Sequence, residues 1–402
     1  MMNFRQYPQI TKVTIPNNVR LSNGNISNVF NSMGNLTSVN FNHANATNMA
    51  GTYYMCNNLI GNAACGDQVT NMRLTYMECT KLTGNPVCGP NVINMERTYY
   101  NCYNLTGSPV CGNQVDSMSQ TYYRCYNLTG NPVCGENVTN MYQAYYFCRS
   151  LTGSPVCGDK VTSFANAYQN CYNLTGNPVC GDNVTSMIYT YARCSNLNGS
   201  PVCGNNVTNM HYAYDNCYNL TGNPVCGAKV TQMYYTYANC QSLTGSPVCG
   251  DKVTNMSSTY ENCRNLTGSP VCGNNVINMA NAYLNCRNLT GSPACGNKVI
   301  DMCNAYRNCY NLTGNAYFYS NNVSNVTSCL NGRNTYNALN IYAIANSTTM
   351  ATLLYSNTSS LVGANCTWTD DTATNGCYYN TQYNIYIYPV EDVAAIREAN
   401  GD

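Results

Sequence analysis

Eleven cysteines recur at an unbroken 23-residue step, from Cys65, Cys88 and Cys111 through to Cys295, and a second file runs from Cys56 and Cys79 to Cys309. A period of this length makes each unit one coil of a stacked array. A single coil has too little apolar surface to fold alone and buries it against its neighbours. The repeat therefore overrides the two or three domains that 402 residues would otherwise imply. Its boundaries divide the chain into degenerate N-terminal repeats or a docking segment at 1–50, a regular array at 51–317, and degenerate repeats with a strand–helix cap at 318–402.

Within the unit at 105–128, Val115, Met118, Tyr122, Cys125 and Leu128 follow steps of 3, 4, 3 and 3. That spacing predicts one apolar stripe on a short helical segment. The tyrosine position never varies from Tyr53 to Tyr306. Tyrosine suits a site where the ring is buried and the hydroxyl reaches an edge. The other half of the unit, Leu105-Thr106-Gly107-Ser108-Pro109-Val110-Cys111-Gly112, predicts a short extended piece turned by Gly112. Proline cannot donate to a ladder, so only one to three strand-like residues per coil are expected. The expected fold class is thus an α/β repeat solenoid, with short parallel strands, short helical turns and a cap at each end. Roughly fifteen coils about 4.8 Å apart would make a rod on the order of 70 Å long.

Outside the array, 10–16, 36–41, 338–344 and 383–388 read as strands, and Pro389 to Asn400 as a closing helix.

The sequence resembles the BspA-like leucine-rich repeats. Ile10-Thr11-Lys12-Val13-Thr14-Ile15-Pro16, Asn206-Val207-Thr208-Asn209-Met210, the step from Cys102 to Leu105, and the tail Ile385-Tyr386-Ile387-Tyr388-Pro389-Val390-Glu391 carry the resemblance. It departs from that pattern at the middle rung, where an apolar residue becomes Ser108 or Asn131. The resemblance implies a right-handed leucine-rich-repeat-like stack with an external recognition or adhesion role. It implies no chemistry.

Composition narrows the partners. Charged residues are 9% of the chain and the net charge is +1, which argues against nucleic acid and against docking on anionic membranes. No apolar run reaches the roughly 18 residues of a spanning helix. The first residues, Met1 to Gln6, show no apolar leader, so conventional secretion is not expected and synthesis is placed in the cytoplasm.

Twenty-seven cysteines raise the question of metal or disulfides. Spacings alternating between 9 and 14 do not match structural zinc sites, and no cofactor is expected. The Cys125 file is expected to pack as reduced thiols. The Cys111 file should point outward beside an inward Val110 and be the more oxidisable of the two. Cys366 and Cys377 are candidates for one local disulfide. His43 and His211 lie in different coils, and no nucleophile elbow, phosphate loop or carboxylate pair recurs. An enzyme is not expected.

The variable positions are the candidate contact surface: Tyr103, Tyr126, Tyr172, Tyr218 and Tyr310 after the second cysteine, and Tyr142, Tyr212 and Tyr234 beside the methionine. Rigid aromatics among Ser, Gly and Asn are what binding loops use. The expectation is a non-enzymatic recognition solenoid displayed on a virion surface, such as a phage tail or head fibre component that contacts host glycans or surface proteins. Its end modules would dock on other virion proteins or on a second copy. A bacterial or protist cell-surface adhesin, or a self-assembling extracellular fibre subunit, is the alternative.

Overall fold

A computed structural model describes residues 4–16, 19, 23–334, 336, 338–345, 347–355, 361 and 368–402. It divides into two compact units, Met1–Gly199 and Ser200–Asp402. In both, the stripe foreseen from spacing is the core: Val115, Met118, Tyr122, Cys125 and Leu128 are fully buried, as are their equivalents at Val230, Met233, Tyr237, Cys240 and Leu243.

The conformation of that stripe is not helical. From Met118 to Cys125 the backbone alternates between two kinds of hydrogen bond. The N–H groups of Thr121, Tyr123 and Cys125 close turns on the carbonyls of Met118, Gln120 and Tyr122 at 3.0–3.3 Å. Those of Met118, Gln120, Tyr122 and Arg124 donate to Asn140, Tyr142, Ala144 and Tyr146 in the next coil at 2.7–2.9 Å. The segment is a ribbon of overlapping turns, and half of its donors serve the neighbouring coil. A helix would spend all of them internally. Overlapping turns also bring a side chain inward every three or four residues, which is why the spacing looked helical.

The ribbon requires left-handed residues at regular intervals, and Gln120 (φ 55°) and Arg124 (φ 58°) are two of them. From Asn239 onward the second such position is asparagine at Asn262, Asn285 and Asn308. Asparagine tolerates this region better than most residues. Here its amides also form a file, Asn262 Nδ2 to Asn239 Oδ1 at 2.8 Å, then Asn285 to Asn262 and Asn308 to Asn285 at 2.7 Å.

Strand structure in the array is correspondingly thin. Single-residue parallel bridges link Asn48, Asn71, Asn94, Ser117, Asn140 and Ser163 in the first unit. They link Asn209, Gln232, Asn255, Asn278 and Asp301 in the second. Most fall just after the Val of each coil; in the Pro-Val-Cys segment, where extended residues were expected, a bridge joins Val271 to Ala294, next to the C-terminal sheet. Regular strands sit near the ends. In the first unit β1 (Lys12–Thr14) pairs in parallel with β2 (Ser38–Asn40). In the second, β3 (Ala294–Cys295), β4 (Gly314–Phe318), β5 (Leu339–Ile344), β6 (Thr369–Asp371), β7 (Cys377–Asn380) and β8 (Ile385–Val390) form one sheet in the order β3-β4-β5-β8-β7-β6. The pairs β6–β7 and β7–β8 are antiparallel, and the others are parallel.

The sheet begins where the proline disappears. Tyr317 pairs with Ala294 and Phe318 with Cys295, so Ala316 occupies the place of Pro293 and restores a donor. Among the described residues the α-helices α1 (Thr348–Tyr355) and α2 (Val393–Ala399) lie in this unit. Pro389 belongs to β8 and not to the start of the closing helix. Asp392 caps α2 instead, its carboxylate accepting from Ala394 and Ala395 N–H at 2.9 and 3.1 Å.

One glycine shows how tightly the coils approach. Gly153 sits at φ +79°, and a Cβ there would collide with the Asn131 side-chain amide of the preceding coil. Gly153→Ala is therefore expected to cost about 1–2 kcal/mol from the left-handed backbone alone, before the collision is relieved. A denaturant midpoint unchanged from the parent would contradict this packing.

Candidate recognition surface

The invariant tyrosines stack face to face through each unit. In the first, Phe30 and Tyr53 through Tyr191 follow at centroid separations of 5.2–5.6 Å, with Phe4 added to one end at 5.4 Å. In the second, Tyr214 through Tyr306 follow at 5.5–5.6 Å. Each hydroxyl has a defined task. Tyr122 Oη donates to Val110 O at 2.7 Å and accepts from Val110 N at 3.0 Å. The same reciprocal pair joins Tyr99 to Val87 and Tyr168 to Val156. The phenol thus replaces the ladder partner that a Pro-Val-Cys segment cannot find in its neighbour. Tyr53 differs: its hydroxyl meets His43 Nε2 at 2.9 Å, and burial pushes the His43 pKa down to about 4, so that ring is neutral.

The cysteines also have tasks. Cys125 Sγ donates to Tyr99 O at 3.1 Å and Cys148 Sγ to Tyr122 O at 3.0 Å, one coil back in each case. Burial holds the Cys148 thiol far above its ordinary range. The Cys111 file was expected to face outward. It is instead half-buried, with Sγ 3.6 Å from Gly112 O, and burial pushes the Cys111 thiol up to about 12. A protonated, enclosed thiol is a poor nucleophile and a poor redox partner. Cys377 is buried in β7, and Cys366 lies outside the described residues. Among the described residues no group of three His, Cys, Asp or Glu side chains is placed to hold a metal ion. No helix there is long and apolar enough to cross a membrane.

Above this core the ribbon displays the variable side chains. In the first unit two tyrosine files run side by side. Tyr100 stacks on Tyr123 at 4.3 Å and 1°, and Tyr123 on Tyr146 at 4.7 Å and 10°. Tyr103 stacks on Tyr126 at 5.1 Å and 7°. Arg124 lies within electrostatic reach of Tyr100, Tyr103, Tyr123 and Tyr126, with its guanidinium 5.2 Å from the Tyr123 centroid. Arg149 continues the second file, 4.7 Å above Tyr126 and 5.3 Å from Phe147. Cation–π contacts of this kind hold a guanidinium in place while its edge still faces water.

In the second unit Tyr212 stacks on Tyr235 at 4.9 Å, and Tyr234 meets both rings edge-on at 5.3 and 4.5 Å. His211 packs beside Tyr234 at 5.8 Å. The remaining candidates stand apart from these clusters. Tyr172 Oη donates to Asn170 Oδ1 at 3.2 Å, and Tyr218 Oη to Asn216 Oδ1 at 2.9 Å. Tyr310 carries Arg287 at 5.7 Å on its ring. Tyr142, Tyr218 and Tyr310 are the most exposed of the set, at 39%, 42% and 38%.

In the sequence all these tyrosines look alike, as variable aromatic contact residues. The structure separates them. Rings inside a stack have their faces covered by neighbours and offer only edges and hydroxyls. Tyr142 has Ser119 and Ala165 at the same position one coil to either side, so no ring of its own file can stack on it. The Tyr100–Tyr123–Tyr146 file and Arg124 were not singled out from the sequence. The signal was present in the doublets Tyr99-Tyr100, Tyr122-Tyr123 and Tyr145-Tyr146.

No family model matches the chain, and no curated protein matches it. Among solved structures, a leucine rich cell surface protein from Faecalibacterium prausnitzii A2-165 aligns with 77% of this chain and 88% of its own. The identity is 16% and the TM-score 0.35, a likeness too loose to assign fold or function.

Proposed function

We propose that this chain is a non-enzymatic recognition protein, a right-handed leucine-rich-repeat-like solenoid of the BspA kind that acts as a cell-surface adhesin. The observation that supports it most is the outer ribbon of the first unit. There a backbone held by inter-coil hydrogen bonds displays Tyr100, Tyr103, Tyr123, Tyr126, Tyr142, Arg124 and Arg149 in fixed relation to one another. Rigid aromatics give contact area at low entropic cost, and guanidiniums add directional donors. The surface suits glycans and glycoproteins: exposed Tyr142 would take the apolar face of a sugar ring, and the hydroxyl edges and Arg124 its polar rim. The few ion pairs among the described residues, Arg73–Glu96 and Arg97–Glu96 at 3.3 and 3.9 Å, are exposed and contribute little.

Binding to an array of immobilised host-surface glycans and glycoproteins tests this reading. Tyr142→Ala and Arg124→Ala are each expected to weaken binding by about tenfold, as central contacts of an interface do. Both variants binding as tightly as the parent would refute it. Carriage on a virion is the second setting for the same surface. Recovery of the native protein with particles, instead of with cell envelopes, would replace the adhesin by a virion component.

A further inference from the structure

We propose that Tyr100, Tyr123 and Tyr146 form an oxidative cross-linking site, at which a peroxidase using hydrogen peroxide joins neighbouring coils through dityrosine. The site does not depend on what the surface binds. Three features of the stack carry it. The rings occupy the same position in successive coils and lie parallel within 1° and 10°, so each ring faces the next. Their separations, 4.3 and 4.7 Å, are shorter than the 5.2–5.6 Å between core tyrosines Tyr53 to Tyr191. Finally, the tyrosine carbonyls themselves accept inter-coil bonds: Glu78 N–H donates to Tyr100 O, Asn101 N–H to Tyr123 O and Arg124 N–H to Tyr146 O, at 2.7–2.8 Å. The backbones are pinned while the half-buried rings keep an edge in solvent.

The chemistry balances with one peroxide per bond. Each of two tyrosines gives up one electron and its hydroxyl proton, leaving a phenoxyl radical. The radicals couple through the ring carbons ortho to oxygen, and the two ortho hydrogens then move to the oxygens as aromaticity returns. The peroxide takes the two electrons and two protons and leaves as two waters. The core tyrosines and thiols are withheld. Core hydroxyls such as Tyr122 donate to amide carbonyls, which take no proton, and core thiols such as Cys125 are enclosed and protonated.

The test treats dilute native protein with peroxidase and hydrogen peroxide, then maps the digest by mass spectrometry. Peptide pairs joining Tyr100 to Tyr123, or Tyr123 to Tyr146, within one chain and lighter by two hydrogens are expected. Tyr123→Phe keeps the ring and should abolish both links. Dityrosine found only between chains, or an unchanged intramolecular yield in Tyr123→Phe, would overturn the proposal. The parent map decides it alone if the variant fails to fold.

Discussion

Replacing Tyr122 by Phe is expected to destabilise the first unit by about 1–3 kcal/mol, although the buried ring and its stack are retained. The substitution removes one oxygen that both accepts from Val110 N–H at 3.0 Å and donates to Val110 O at 2.7 Å. Neither backbone group has another partner in the extended segment, because the preceding Pro109 breaks any ladder there. Leaving a buried donor or acceptor unmade costs about 1–3 kcal/mol, and the figure here stays in that range because Val110 is itself only half-buried. In a stacked array the loss should be local. Hydrogen exchange at the Val110 amide is therefore the sharpest readout, with protection lost there and largely kept at Val87 and Val133. Tyr53→Phe is the internal comparison, since its hydroxyl meets the His43 side chain and no backbone group. Equal effects from the two substitutions, or retained protection at Val110, would show that the hydroxyl bridge is not what holds the segment.

The native thiols are expected to be almost silent. Burial pushes Cys111, Cys157 and Cys249 from an ordinary 9.0 up to about 12, which lowers their thiolate fraction near neutrality by about a thousandfold. Alkylation of these three should slow by about that factor relative to the unfolded chain. The enclosed Cys125 file should be slower still. Cys303, nearer the surface, should be modified first among the described cysteines. Counting labelled thiols by mass spectrometry before and after denaturation checks this. Fast native labelling of the Cys111 file would restore the outward orientation that strand alternation implies. The same shifts set an alkaline limit. A folded pKa raised above its unfolded value contributes stability that is complete below pH 9 and is lost as pH rises through about 12, so unfolding should set in across that window.

Much of the candidate surface was legible because variability is legible: positions that break an otherwise strict repeat lie outside the core. Tyr103 and Tyr126 were found that way and do face each other across a coil. Which rings would be covered was not legible. That depends on the identity of the residue one coil away in three dimensions, as the contrast between Tyr123, set between Tyr100 and Tyr146, and Tyr142, set between Ser119 and Ala165, makes plain. Arg124 was missed because its slot changes from coil to coil, to Asn101, Phe147 and Asn170, and carries no periodic signal.

The sequence by itself determined the 23-residue stacking, the buried stripe of Val, Met, Tyr, Cys and Leu, and the thin strand pairing of the proline-bearing coils. Burial follows from side-chain chemistry and period, both written in the chain. Only the tertiary structure decided that the stripe runs along a turn ribbon and not a helix, that the Cys111 file is half-buried, and that tyrosine hydroxyls close the Pro-Val-Cys segments. Each of these rests on where a backbone donor or acceptor finds its partner. In this protein half of the ribbon's donors find it 22 residues away, in the next coil. Apolar periodicity records which side chains leave water, and it is blind to a hydrogen bond made with a neighbour that exists only once the coils have stacked.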